Sequence, residues 1–206
     1  MSDPIVIVDY DPQWAELFEE EKAEILAALR ELNVKVEHIG STSVPGLAAK
    51  PIIDIAIITA NADDAVRAIT PLRRLGYVCY GEADIPGRIF FSKDDLRLKS
   101  RDLDSQSDLD SMEPERVRQR THHIHLYTMP TNPDLERHFL FRDYLRAHPE
   151  TSQHYAELKR ALAEKYRNDR DAYTESKTPF IRDIEAKARV ERAHSEERAQ
   201  ITNRLG

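Results

Sequence analysis

The chain has 206 residues, 40% of them hydrophobic and 33% charged, with a formal net charge of −7. This length suits one domain, or one domain with a helical appendage, and the acidic balance argues against general nucleic-acid binding, which depends on basic surface and counterion release. No apolar run reaches bilayer length, "MSDPIVIVDY" carries no signal-peptide pattern, and the single cysteine, Cys79, forbids an intrachain disulfide, so a cytoplasmic protein without membrane contact is expected.

In chain order, Asp11-Pro12 opens a helix, with Asp11 as N-cap and proline at the first helical position. Trp14, Leu17, Phe18, Ile25, Leu29 and Leu32 recur at three- and four-residue steps and mark its inward face, while Glu19-Glu20-Glu21 is assigned to the solvated side. Val34–Ile39 alternates with period two and reads as a strand. Residues 52–58 form a second strand, apolar on both faces and therefore central. A helix follows over Asn61–Leu75, weakened or bent at Pro71. Tyr77–Tyr80, Arg88–Lys93 and Thr121–Tyr127 are three further strands. The charged segment between the last two, about Asp94–Gln119, reads as a mobile loop or weak hairpin arm.

From Asn132 the period turns helical. Asn132-Pro133 starts one helix, His148-Pro149 ends it, and Thr151 caps a second that runs to about Tyr166. A third starts near Asp171, with a break expected at Thr178-Pro179, and Arg189–Gly206 reads as a frayed or charge-paired tail. The domain reading is an α/β core over 1–130, a helical subdomain over 131–187 packed on it, and a charged tail over 188–206.

The stretch from His38 to Ile57 carries the most chemistry. Gly40 lets the backbone approach a ligand, and Ser41, Thr42 and Ser43 supply hydroxyls and N–H groups suited to an anion. Asp54 sits among Ile52, Ile53, Ile55 and Ile57, where an ionised side chain is costly without a partner. His38, two residues before Gly40, reads as a buried histidine. Farther on, His123, His125 and Tyr127 share one strand face, while His122, Ile124 and Leu126 share the other. The aliphatic face belongs to the core, which turns His123 and His125 toward a cleft.

A strand ending in Gly-Ser, a spacer of a dozen residues and an Asp in a hydrophobic strand resemble the signature of the nucleotidyltransferase superfamily. The run "EHIGSTSVPGLAAKPIIDI", followed by "HIHLY", "FRDYLRAHPE", "YAELKR" and "DAYTESKTPFI", is similar to the GrpB-like family within it, over roughly residues 5–187. The resemblance implies an α+β fold, with a mixed sheet flanked by helices and a C-terminal helical subdomain, and sets the "HIHLY" strand beside that of Asp54. The sequence departs from active nucleotidyltransferases at Ala56, where a second acid usually stands.

On this reading Asp54 is a catalytic residue and a ligand for Mg²⁺, with His125 as its catalytic partner. His123 and His125 are candidate ligands for a divalent metal, contacts to phosphate, or acid–base groups. Gly40, Ser41, Thr42, Ser43, Lys50, Arg88, Lys93 and Tyr127 are candidate phosphate or ligand contacts. Arg120, Arg142, Arg146, Lys159 and Lys177 are secondary candidates, each otherwise a plain surface charge. Two functions stay open. One is a nucleotide- or phosphate-binding protein with Mg²⁺-dependent nucleotidyl transfer. The other is a non-catalytic binding or folding-assistance module, because GrpB-like domains occur fused to dephospho-CoA kinase and imply that enzyme as a partner.

Overall fold

The computed structural model describes residues 4–95 and 119–205. Its elements are α1 (Gln13–Ala28), β1 (Val34–Ile39), a 3₁₀ turn (Ser41–Ser43), β2 (Ile53–Thr59), α2 (Ala62–Arg74), β3 (Val78–Cys79), β4 (Arg88–Asp95), β5 (Gln119–Tyr127), α3 (Pro133–Ala147), α4 (Pro149–Lys165) and α5 (Arg170–Leu205). The five strands form one sheet in the order β1-β2-β5-β4-β3. β2 pairs with β5 in parallel, whereas β4 is antiparallel to both β5 and β3, so the sheet is mixed and the class α+β, as the sequence predicts. Most of the charged segment expected between β4 and β5, residues 96–118, lies outside the described residues.

The chain divides into two compact units that cross the boundary expected at residue 130. One contains Leu17–His38 and Ile52–Pro130; the other contains Met1–Glu16, Ile39–Pro51 and Thr131–Gly206. The 39–51 segment therefore groups with the C-terminal helices. Val44, Leu47 and Ala48 are the cause, since they share an apolar cluster with Leu145, Tyr155 and Ala156. Ile5 likewise clusters with Ala163 and Tyr173.

In the sheet unit, period two sorts the strands into an apolar face and a polar one. Ile55 pairs with Ile124 and Ile57 with Leu126, and on the other side of β5 Phe91 also pairs with Ile124; all five side chains are fully buried. α1 starts as expected, with the Gln13 N–H donating to Asp11 Oδ1 at 2.9 Å. Its buried stripe runs through Trp14, Phe18, Glu21, Ile25 and Leu29. Glu21 is thus not on the solvated side with Glu19 and Glu20, because a step of three from Phe18 and four from Ile25 places it on the core stripe. Leu17, expected inside, is exposed by the same arithmetic. His38 is buried, as predicted, and stacks on Phe18 with ring centroids 4.5 Å apart.

In the helical unit, α4 starts at Pro149 with His148 as its N-cap, three residues before the expected cap Thr151, because proline presets the first helical φ. α5 runs unbroken through Pro179. That residue is exposed, so the carbonyl one turn earlier, deprived of its N–H partner, can turn to solvent. The tail continues this helix: Ala188 is buried, Arg192 meets Glu136 at 2.6 Å, and Glu191 lies 3.3 Å from His148. Among the described residues no helix is long and apolar enough to cross a membrane.

Candidate functional site

The polar face of the sheet is built by register. Asp54 lies directly across from His123, Ala56 from His125 and Ile58 from Tyr127. On the other side of β5, Ser92 lies across from His123, Phe90 from His125 and Arg88 from Tyr127. Residues opposite one another share a face, so Asp54, His123, His125, Arg88, Phe90 and Ser92 all project from the same side of the sheet.

Asp54 is the centre of this group. His123 donates its Nδ1–H to Asp54 Oδ1 at 3.0 Å, and His125 Nε2 stands 3.9 Å from the same oxygen. Burial alone would raise the Asp54 pKa, but hydrogen bonds from His123 and His125 and the charges of both rings outweigh it and hold the carboxyl well below the usual range. Asp54 therefore stays ionised at neutral pH with 27% of its side chain exposed. With Nδ1 committed to Asp54, a neutral His123 ring carries its lone pair on Nε2. That atom is buried and has no hydrogen-bond partner among the described residues. Phe90 holds both rings, with centroids 5.1 Å from His123 and 5.4 Å from His125.

The expected ligand contacts fall in different places. Tyr127 is fully buried, with its ring parallel to His125, so it supports that imidazole from within. Arg88 shares the Asp54 face and is 8% exposed. Its Nη2 donates to the carbonyls of Glu82 and Ala83, while Nε is buried without a hydrogen-bond partner among the described residues. Lys93 does not join Asp54. It lies across from His122 on the opposite face, where Nζ donates to both oxygens of Glu21 at 2.9 Å. Parity alone separates the two, since 88 and 93 differ by an odd number along one strand.

That second face has its own polar network, centred on Glu21, a residue the sequence reading assigned to solvent. Besides Lys93, the Tyr77 hydroxyl donates to Glu21 at 2.9 Å, and His122 Nε2 is 3.9 Å away. Burial, then the Glu21 charge, pushes the Tyr77 phenol well above its ordinary value, so the phenol remains a donor. This network anchors α1 to the sheet.

The remaining candidates belong to the helical unit. Gly40 adopts φ 70° and ψ −172°, a backbone conformation essentially reserved for glycine, just before the Ser41–Ser43 turn. Thr42 and Ser43 are buried, and the Ser43 hydroxyl donates to the Gly40 carbonyl at 2.6 Å. Arg146 donates from Nε and Nη2 to the Ser43 carbonyl, which fixes the end of the turn. Lys50 Nζ stands 5.7 Å from the Tyr173 ring centre.

The donors on the Asp54 face can be tested against the metal chemistry of nucleotidyl transfer. Mg²⁺ prefers carboxylate, phosphate and water oxygens, and a pair of ions needs bridging carboxylates. Asp54 is the only carboxylate among β2 and β5 residues on this face, and Ala56, fully buried, occupies the place of the second. This set does not fit a metal pair.

A protein-family model described as "GrpB protein" matches residues 4–187. The UPF0157 protein YqkA of Bacillus subtilis is 35% identical over 185 residues, 90% of this chain but 47% of that relative, so the chain spans about half of YqkA. A crystal structure of the conserved protein GrpB from Enterococcus faecalis is 36% identical, with a TM-score of 0.72, covering 89% of this chain and 96% of that one. A dephospho-CoA kinase of Mycolicibacterium paratuberculosis is 29% identical over 90% of this chain and 46% of its own length. The match across nearly the whole chain and the agreement in fold lead to one conclusion: this chain belongs to the GrpB family.

Proposed function

We propose that this protein binds a nucleotide or another phosphorylated small molecule in a bacterial cytoplasm, through a nucleotidyltransferase-like fold, with the Asp54 face as its polar binding surface. One observation carries the reading: an ionised carboxylate engages two imidazoles at a single oxygen, on a face shared with a buried arginine. Imidazole and guanidinium donors suit phosphate oxygens, and Asp54 orients His123 so that Nε2 can accept or deliver a proton. Within the helical unit, taken by itself, the Gly40–Ser43 turn and Lys50 offer hydroxyl and cationic groups of the kind a phosphate requires. Where Mg²⁺ is used, we propose a single ion arriving with the ligand's phosphates, with Asp54 as its protein carboxylate. It would neutralise phosphate charge.

A second reading has its own support. The absence of an acid at Ala56 and the likeness to a dephospho-CoA kinase favour a non-catalytic binding or folding-assistance module acting with such an enzyme. A thermal-shift panel of nucleotides, dephospho-CoA and CoA, each with and without Mg²⁺, tests both. The binding reading expects at least one phosphorylated ligand to raise the melting temperature and Asp54→Asn or His123→Gln to reduce that shift. Release of pyrophosphate in the same mixtures would establish transfer. Silence across the whole panel, beside a direct complex with dephospho-CoA kinase, would favour the module.

A further inference from the structure

Lys159 is 2% exposed, and its ammonium donates to the main-chain carbonyl of Ala48. A neutral carbonyl is poor compensation for a buried charge. Among the described residues, the charged groups that shift Lys159 are cations: Lys177 from α5, Arg160 from its own helix and Lys50 from the segment before β2. Arg160 is partly neutralised by Asp9, whose Oδ1 lies 2.5 Å away. Two tyrosines complete the surroundings. Lys159 Nζ sits 4.6 Å from the Tyr155 ring centre, while Lys177 and Lys50 stand 4.4 Å and 5.7 Å from that of Tyr173. Three lysines thus gather around two buried aromatic rings in a chain whose net charge is −7.

We propose that Lys159, Lys177 and Lys50 form a phosphate subsite within the helical unit, and that Lys159 takes up a proton when the anion binds. The subsite rests on the reading that the ligand carries phosphate. Burial first, then repulsion from Lys177, Arg160 and Lys50, lowers the Lys159 pKa to about 6, so Lys159 alone is largely neutral at pH 7.5. An arriving phosphate reverses the local field, stabilises the ammonium and draws one proton from solvent. Tyr173, raised by burial to about 12, stays protonated throughout and does not compete in this range.

The test uses the full chain and trimetaphosphate, a polyphosphate whose own charge is constant between pH 6.5 and 8.5. Titration calorimetry in two buffers of different ionisation enthalpy reads affinity and proton uptake together. The wild type is expected to bind at least fivefold more weakly at pH 8.5 than at 6.5 and to absorb a measurable fraction of a proton. Lys159→Met is expected to lose that uptake and bind at least tenfold more weakly at pH 6.5. Lys177→Gln, which alters a half-buried side chain and leaves the core intact, is expected to weaken binding as well. Absence of binding at pH 6.5 overturns the subsite, and binding without proton uptake overturns the coupling. A nucleotide thermal shift that Asp54→Asn abolishes, in a protein that ignores trimetaphosphate, defeats this subsite alone. Trimetaphosphate binding in a protein that no nucleotide stabilises defeats the broader reading alone.

Discussion

His123 donates its Nδ1–H to Oδ1 of Asp54 across 3.0 Å, and the two residues lie directly opposite in the parallel pairing of β2 with β5. The pair fixes the orientation of one imidazole and the ionisation of one carboxylate together. Its energetic signature is therefore a pH dependence.

Asp54 is held below its unfolded pKa, so its contribution to stability is complete above about pH 4 and is lost as pH falls further. Asp54→Asn is expected to cost about 1.5–3 kcal/mol near neutrality, the scale of a hydrogen bond to a charged group, and to fall toward the lower end because the carboxylate is partly exposed. Urea unfolding from pH 7 to pH 2.5 should show a constant gap between wild type and variant down to about pH 4, narrowing below it. A gap that stays constant to pH 2.5 would show that the pair does not hold Asp54 ionised.

Glu21 and Lys93 form the ion pair that anchors α1 on the opposite face, with side chains 8% and 25% exposed. Removing one partner leaves the other charge poorly solvated, so Lys93→Met is expected to destabilise toward the low end of about 3–5 kcal/mol. The double variant Glu21→Gln with Lys93→Met should recover part of that loss. Four denaturation curves complete the double-mutant cycle, and strict additivity would mean the pair contributes no coupling.

Lys159→Met reports on the buried cation without any ligand. Unfolded, Lys159 stays protonated to about pH 10.5; folded, it releases its proton near 6. Between those values the unfolded chain binds more protons, so stability should rise with pH. The variant should be more stable near pH 7 by about 1–4 kcal/mol, as when buried charges give way to apolar side chains. Its advantage should shrink toward pH 10. An advantage unchanged from pH 6 to 10 would refute the depressed pKa.

Truncation separates the two halves of the tail. A chain ending at Lys187 loses buried Ala188 and the contacts of Glu191 and Arg192 with α3 and His148. At 0.2–1 kcal/mol per exposed pair, plus the alanine, the expected loss is roughly 1–2 kcal/mol, or about 2–8 °C in melting temperature. A chain ending at Gln200 should match full length within about 0.5 kcal/mol. Equal melting of both truncations would show that the 188–195 segment does not dock.

Much of the fold was legible because the strand and helix periods are strong. The interior place of the Asp54 strand follows from a run that is apolar on both faces, and the division of β5 into a histidine face and an aliphatic face from alternation over residues 121–127. Local polarity misleads where a charged residue occupies a buried stripe. Glu21 and Lys159 are charged, yet each lies on its helix's buried stripe: Phe18, Glu21 and Ile25 in α1, and Ser152, Tyr155, Lys159 and Ala163 in α4. Counting turns places both inside; Lys93 compensates Glu21, whereas Lys159 meets only the Ala48 carbonyl and further cations among the described residues. The parity of Arg88 and Lys93 was equally visible. The grouping of residues 39–51 with the helices was not, because it depends on contacts between Val44 or Leu47 and side chains about a hundred residues away, which no local period records.

The pairing of β2 with β5 also sets when the candidate site comes into being. β4 and β5 are consecutive strands and pair with each other, whereas Asp54 and His123 are 69 residues apart. Joining such distant segments costs more loop-closure entropy than pairing β4 with β5. A chain with only the β4–β5 pair formed has both imidazoles, but no carboxylate to orient them. The hydrogen-bonded geometry thus appears only when the parallel strands meet, so a chain without the β2–β5 pairing lacks it. The strand order therefore acts as a check: only a molecule in which β2 has joined β5 presents the oriented Asp54–His123 pair.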